Sequence, residues 1–282
     1  MDDSVYPFRT RRLEVDGASL HLVDEGAGRP VLLLHGNPTW SFLHRHVVGD
    51  LAGRCRCIAP DLPGFGLSEA PDRFGFTPRE HARAVGRVVD ELGLEGFVLV
   101  GHDWGGPIGL AVAAERPDRV AGLVLCNTWC WRPDLRLRAF SLLVGGPVGR
   151  WLCLRRNAFA RWIVPLGIHR RDRRTEAVLE AYRAPFPTPE SRVPTWVFPR
   201  AIRTSAGWIA DVEGRLHRLA GRPVELVWGM RDPMLGRRAC LERWRRHFPD
   251  AGVDRVEDAS HYLPEDRPDR LAAAVGRALE AT

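Results

Sequence analysis

The chain has 282 residues, 45% hydrophobic and 27% charged, with a formal net charge of +6. Those fractions match an ordinary soluble globular domain, and a chain of this length buries about 75% of its unfolded surface. Disorder, a fibrous repeat and a disulfide-stapled miniprotein are excluded, and one large domain, or one domain with an insertion, is expected.

Lysine is absent, so all 41 basic side chains are arginine. Residues 132–174 hold eleven of them against Asp134 and Asp172, a local net of +9. No nucleic-acid-binding motif accompanies this stretch, so it is expected to be a solvated surface. The six cysteines form no CxxC pair and no cluster with zinc spacing, which suits buried thiols in a reducing compartment. The acidic, polar start lacks a signal-peptide core. Residues 96–114 are weakly charged but contain Asp103, five glycines and Pro107. A central aspartate costs about 2.5–3.5 kcal/mol in a membrane span. A cytoplasmic protein with no membrane and no nucleic-acid partner is therefore expected.

Residues 13–15 and 19–23 flank Asp16-Gly17, which predicts a hairpin. Residues 31–34 form a continuous apolar run, and residues 57–59 a shorter one, as in strands covered on both faces. Thr77-Pro78-Arg79-Glu80 is a capping box with proline at the first helical position, and Val85, Val88, Val89 and Leu92 recur behind it at helical spacing. A strand over 97–100, a helix over 108–114 and a strand over 120–125 follow. The alternation then stops. Residues 132–215 are helical in pattern, arginine-rich and interrupted by prolines. It resumes with a strand over 224–228, a helix over 239–247, a strand over 253–256 and a final helix from Pro268. The expected fold is α/β: a mostly parallel sheet of eight strands with helices on both faces. Residues 1–131 and 216–282 would form the core, and 132–215 a helical insertion.

Such sheets place their sites at the carboxyl ends of the strands. Four strand ends deliver polar residues there: His35-Gly36-Asn37, Gly101-His102-Asp103-Trp104-Gly105-Gly106, Gly229-Met230-Arg231-Asp232 and Asp258-Ala259-Ser260-His261. Gly101-His102-Asp103-Trp104-Gly105 is a nucleophile-elbow pattern with aspartate in the usual serine position, and the chain order Asp103, Asp232, His261 is nucleophile, acid, base. An aspartate is ionised at neutral pH and needs no base to attack. On an acyl carbon it would form only an anhydride. On a saturated carbon it forms an alkyl ester, which water activated by His261 could hydrolyse, with Asp232 orienting the imidazole. Backbone N–H groups of Trp104 and Asn37 would stand at the oxyanion position.

With His35-Gly36-Asn37-Pro38-Thr39-Trp40-Ser41, Asp61-Leu62-Pro63-Gly64-Phe65-Gly66-Leu67-Ser68, His102-Asp103-Trp104-Gly105-Gly106, Asp232-Pro233 and Ser260-His261, the chain resembles the haloalkane dehalogenases of the α/β-hydrolase superfamily. Residues 184–192 resemble the dehalogenase cap, so that 132–215 would be a cap domain. The resemblance implies hydrolysis of a carbon–halogen bond in a small apolar halogenated substrate, yielding an alcohol and a halide ion. It implies no metal and no organic cofactor, with water as co-substrate. Trp104 maps to the indole that binds the leaving halide, and Asn37 to the amide that supplies a second donor. No carboxylate stands after the strand over 120–125 before Asp134, which favours Asp232 as acid and resembles the third dehalogenase subfamily. Homo-oligomerisation stays open.

An epoxide hydrolase shares the aspartate nucleophile but protonates the epoxide through two cap tyrosines, and only Tyr182 lies in this cap. A fluoroacetate-type dehalogenase would carry Arg where Trp104 stands. A luciferase-like, cofactor-free oxygenase on the same scaffold is not excluded by the motifs.

Overall fold

The computed structural model describes residues 6–282. Eight strands form one sheet: β1 (Thr10–Val15), β2 (Ala18–Glu25), β3 (Pro30–Leu34), β4 (Arg56–Pro60), β5 (Phe97–His102), β6 (Val120–Cys126), β7 (Val224–Gly229) and β8 (Gly252–Val256). Their order is β1-β2-β4-β3-β5-β6-β7-β8. From β4 to β8 all neighbours are parallel, and β2 joins β1 and β4 antiparallel. The hairpin turns on Asp16 and Gly17, both at positive φ (49° and 80°), as its two-residue loop requires.

The helices of the fold are α1 (Arg45–Leu51), α2 (Pro78–Glu91), α3 (Gly105–Glu115), then α4 (Leu135–Val144), α5 (Pro147–Arg156), α6 (Val164–Gly167), α7 (Glu176–Arg183), α8 (Val193–Thr204) and α9 (Ala206–Arg215) between β6 and β7, followed by α10 (Arg238–His247), α11 (Leu263–Asp266) and α12 (Pro268–Glu280). Helix α2 starts with the full capping box, Thr77 and Glu80 each bonding the other's backbone N–H. Helix α1 had no counterpart in the sequence reading. At seven residues it is too short to display a 3.6-residue period, although Val47, Val48 and Leu51 are buried.

The continuous apolar runs exist because both faces of the central strands are covered. Leu32, Leu34, Leu99 and Leu125 lie in one core with Val85 and Val89 of α2 and Ile108 of α3. Val31, Leu33, Val98 and Val100 lie in a second core with Val47 of α1 and Leu271 and Val275 of α12. The side-chain period of two sends alternate residues of one strand into separate cores. The sheet is thereby clamped rigidly, and its carboxyl edge becomes a fixed platform for polar side chains.

Candidate active site

Strand β5 ends at His102, and the chain turns at Asp103 into α3. Asp103 adopts φ 48°, a left-handed conformation that a non-glycine residue holds only when its surroundings enforce it. Gly105 permits the tight return: a Cβ there would stand 2.2 Å from the Leu34 carbonyl oxygen. Gly36 permits the projection: a Cβ there would stand 2.2 Å from Asp103 Oδ1. The Thr128 hydroxyl donates to the Asp103 carbonyl (2.6 Å) and the Asp103 N–H to the Asn127 carbonyl (3.3 Å), fixing the turn from β6.

Three of the residues selected from the sequence converge here. His261 Nδ1 lies 2.8 Å from Asp232 Oδ2, and His261 Nε2 lies 3.6 Å from Asp103 Oδ2. The other oxygen of Asp103, Oδ1, accepts the Asn37 backbone N–H at 2.8 Å. The two oxygens thus differ: one is bound by an amide, and the other faces the imidazole. Asp232 is equally well held, since Oδ1 accepts from the backbone N–H groups of Met234 (2.8 Å) and Leu235 (3.0 Å).

Asn127 completes this arrangement and was not singled out in the sequence. Its Nδ2 donates to Asp232 Oδ2 (3.0 Å) and to the Gly229 carbonyl (3.0 Å), and its Oδ1 accepts the Gly229 N–H (2.7 Å). One side chain at the end of β6 therefore fixes the end of β7 and the acid beyond it. The available signal was its position directly after an apolar strand run, where a polar residue faces the site.

The charges are strongly coupled. Burial drives His261 toward the neutral form, but the Asp232 carboxylate and the bond to Asp103 outweigh it and raise the imidazole to about 10. Burial likewise pushes the Asp103 carboxyl up, but the bond and charge of His261 and the Asn37 N–H bring it below the ordinary carboxylate range. Asp232 is lowered in the same way, by His261 and by the Leu235 and Met234 N–H groups against its burial. The two carboxylates thus favour the protonated imidazole, and the imidazole favours both carboxylates in their ionised form.

In front of Asp103 lies a cavity of about 280 Å³. Its wall is mostly apolar, including Trp129, Phe140, Phe159, Ile163, Pro199 and Ile202. Trp104 lines it too, stacked on Phe198 with ring centroids 5.2 Å apart, and no described residue accepts from its indole N–H. Asn37 also lines the cavity, while one amide hydrogen is spent on the Thr195 carbonyl of α8 (3.1 Å). Trp129, packed edge-on against Trp104 at 4.8 Å, has a buried indole N–H without a partner among the described residues, and nothing in its spacing separates it from the neighbouring aromatics. Of the aromatics in the inserted helices, Phe159 reaches the cavity, whereas Trp151 and Trp162 are exposed and Trp196 donates to the Gly145 carbonyl (3.2 Å).

The tyrosines bear on epoxide chemistry. Tyr182 is fully buried away from the cavity, and its hydroxyl donates to Glu265, which also pairs with buried Arg45. Tyr262 lines the cavity, but its hydroxyl donates to the Asn37 carbonyl (3.2 Å). Among the described residues no pair of tyrosine hydroxyls faces Asp103.

An Asp–His–Asp constellation on a strand-to-helix elbow of an eight-stranded, mostly parallel sheet defines an α/β hydrolase. Residues 29–268 match the family model for the alpha/beta hydrolase fold. The chain is 42% identical over 276 residues to haloalkane dehalogenase 2 of Mycobacterium tuberculosis, covering 97% of this chain and 96% of the relative. It is 33% identical to a cis-3-alkyl-4-alkyloxetan-2-one decarboxylase of Shewanella oneidensis, covering 100% of this chain and 92% of that one. The crystal structure of a haloalkane dehalogenase from Bradyrhizobium elkani superposes with a TM-score of 0.86 at 30% identity, covering 97% of this chain and 98% of the other. The chain belongs to the haloalkane dehalogenase family of the α/β hydrolases.

Proposed function

We propose that this protein hydrolyses haloalkanes to an alcohol and a halide ion, with Asp103 as nucleophile, His261 as base and Asp232 as acid. The observation that carries the reading is the inequivalence of the two Asp103 oxygens beneath an apolar cavity. Oδ1 is tied to the Asn37 N–H, which leaves Oδ2 to attack a saturated carbon in line with its halogen. The carbon–halogen bond breaks, and its electron pair departs with the halide. A halide cannot be usefully protonated, so neutral N–H donors in a low-dielectric pocket suit it, and the Trp104 indole and the second amide hydrogen of Asn37 are the donors assigned.

The ester so formed no longer carries the Asp103 charge. His261 loses one of the two carboxylates that raised it, so its Nε2 proton passes to solvent, as the acid released with the halide, and Nε2 becomes a base. The neutral imidazole takes a proton from water, the hydroxide attacks Asp103 Cγ, and the oxyanion forms at Oδ1 beside the Asn37 N–H. On collapse the imidazolium gives its proton to the departing alkoxide, which leaves as the alcohol, and the proton of the regenerated Asp103 carboxyl passes to His261, restoring the carboxylate. Asp232 holds Nδ1–H throughout and stabilises the returning cation. Asn127 acts as a positioning residue through Asp232.

We assign residues 132–215 as a cap domain, since α4, the turn before α6, and α8 supply much of the cavity wall. The substrate is a small apolar halogenated molecule, matched to that wall, with water as co-substrate. The distribution of tyrosines argues against epoxide opening. The test is bromide release from short bromoalkanes by the wild type and not by Asp103→Ala, with styrene oxide assayed in parallel. Diol from the epoxide and no bromide would refute the assignment.

A further inference from the structure

Nine large hydrophobic side chains are exposed among the described residues, and seven of them fall within residues 135–166. Helix α4 presents Leu135 (82% exposed), Leu142 (61%) and Leu143 (70%), and α5 presents Val148 (66%) and Trp151 (52%). Trp162 (48%) and Leu166 (73%) lie just beyond. The belt reaches the catalytic cavity at Leu166, which both lines the cavity and is exposed. So many exposed apolar side chains in one chain segment mark it as a binding surface.

The same segment is strongly basic. Arg132, Arg136 and Arg138 on the α4 side and Arg150, Arg155 and Arg156 on α5 are exposed, as is Arg161. None of the seven has an ion-pair partner among the described residues, and Asp134, the one carboxylate in 132–161, is paired with Arg237. Two copies of this face would bring both sets of guanidiniums together, which disfavours self-association. Exposed Trp and Leu interspersed with unpaired Arg instead match the anionic headgroup layer of a bilayer. No helix is long and apolar enough to cross a membrane, and surface docking needs none.

We infer that the α4–α6 face docks on an anionic lipid surface, with the cavity entrance turned toward the bilayer. Resting on the dehalogenase reading, it places lipophilic substrate, which concentrates in bilayers, at the mouth of the cavity. It departs from the expectations that the protein has no membrane partner and that the arginine-rich stretch is merely solvated. Each basic side chain near such a surface strengthens binding about fivefold.

The test is cosedimentation of the full-length protein with phosphatidylglycerol vesicles and with phosphatidylcholine vesicles. Binding is expected to phosphatidylglycerol only, and to fall with added salt. The triple substitution Arg136→Gln, Arg150→Gln and Arg155→Gln should weaken it about a hundredfold. The pair Trp151→Ser and Trp162→Ser should weaken it too, while bromide release from soluble bromobutane stays at the wild-type rate in both. Turnover of a vesicle-dissolved long-chain bromoalkane should fall in step with binding. No binding, equal binding to both vesicles, or wild-type binding by the triple variant would overturn the inference. So would a wild-type dimer that fails to bind vesicles and that Trp151→Ser turns into a monomer. Bromobutane turnover checks the dehalogenase reading separately, because it does not depend on docking.

Discussion

Replacing Asp232 with asparagine separates the two halves of the proposed reaction. The carboxylate accepts four N–H groups: His261 Nδ1 (2.8 Å), Asn127 Nδ2 (3.0 Å), Met234 N (2.8 Å) and Leu235 N (3.0 Å). An amide of the same shape can accept on one side only. With its oxygen toward Met234 and Leu235, its NH₂ meets the imidazole, which must then present a bare Nδ1 and carry its proton on Nε2. That is the wrong tautomer for taking a proton from water. In Ser-His-Asp triads the equivalent change lowers turnover about ten-thousandfold. This corresponds to about 5.4 kcal/mol of lost transition-state stabilisation at about 1.36 kcal/mol per tenfold. Alkylation needs no base, so Asp103 should still displace halide once. Rapid-quench kinetics should therefore show a burst of about one bromide per site followed by hydrolysis slowed by that factor. Loss of the burst together with the steady state, or unchanged hydrolysis, would refute the role given to Asp232.

Substituting His261→Phe should leave a covalent adduct on the Asp103 peptide, visible by mass spectrometry after incubation with a bromoalkane; an unmodified peptide would count against His261 as the base. Trp104→Phe keeps a ring to stack on Phe198 but removes the N–H, and should lower kcat/KM for halide release by about 1–3 kcal/mol with little change in Tm. Glu265→Gln leaves the buried Arg45 guanidinium uncompensated and should cost about 3–5 kcal/mol of stability in urea denaturation, without altering the nature of the product. His261 has its native pKa raised to about 10, so its stabilising contribution is complete below about 6.5 and is lost as pH climbs through about 10. Asp103 and Asp232 are lowered, so theirs is complete above the ordinary carboxylate range and is lost in acid. Tm should thus hold level from above the ordinary carboxylate range to about pH 6.5 and fall on both sides, and His261→Phe should remove the alkaline fall caused by this group.

The fold was legible because both faces of the central strands are covered. The runs around Leu32, Leu99 and Leu123 are unbroken, and their bounds extend in the structure by only a residue or two. Asp103, Asp232 and His261 were legible for a related reason: each follows a strand, and strand ends share one rim. What escaped was set by tertiary contact rather than period. Helix α1 is shorter than two turns and leaves no periodic trace. The role of Asn127 depends on its reach across to Gly229 and Asp232, 102 and 105 residues away. In the inserted helices, spacing could not tell Phe159, which enters the cavity, from Trp151, which faces outward, because short proline-broken helices turn apolar residues in several directions.

The account rests on an ester at Asp103, and a single turnover in heavy-oxygen water with enzyme in excess tests it most directly. If water attacks Asp103 Cγ, the first alcohol carries the original carboxylate oxygen, and the Asp103 peptide gains one heavy oxygen. A labelled alcohol from the first turnover, with an unlabelled Asp103, would mean that water attacks the substrate directly, and would contradict the mechanism.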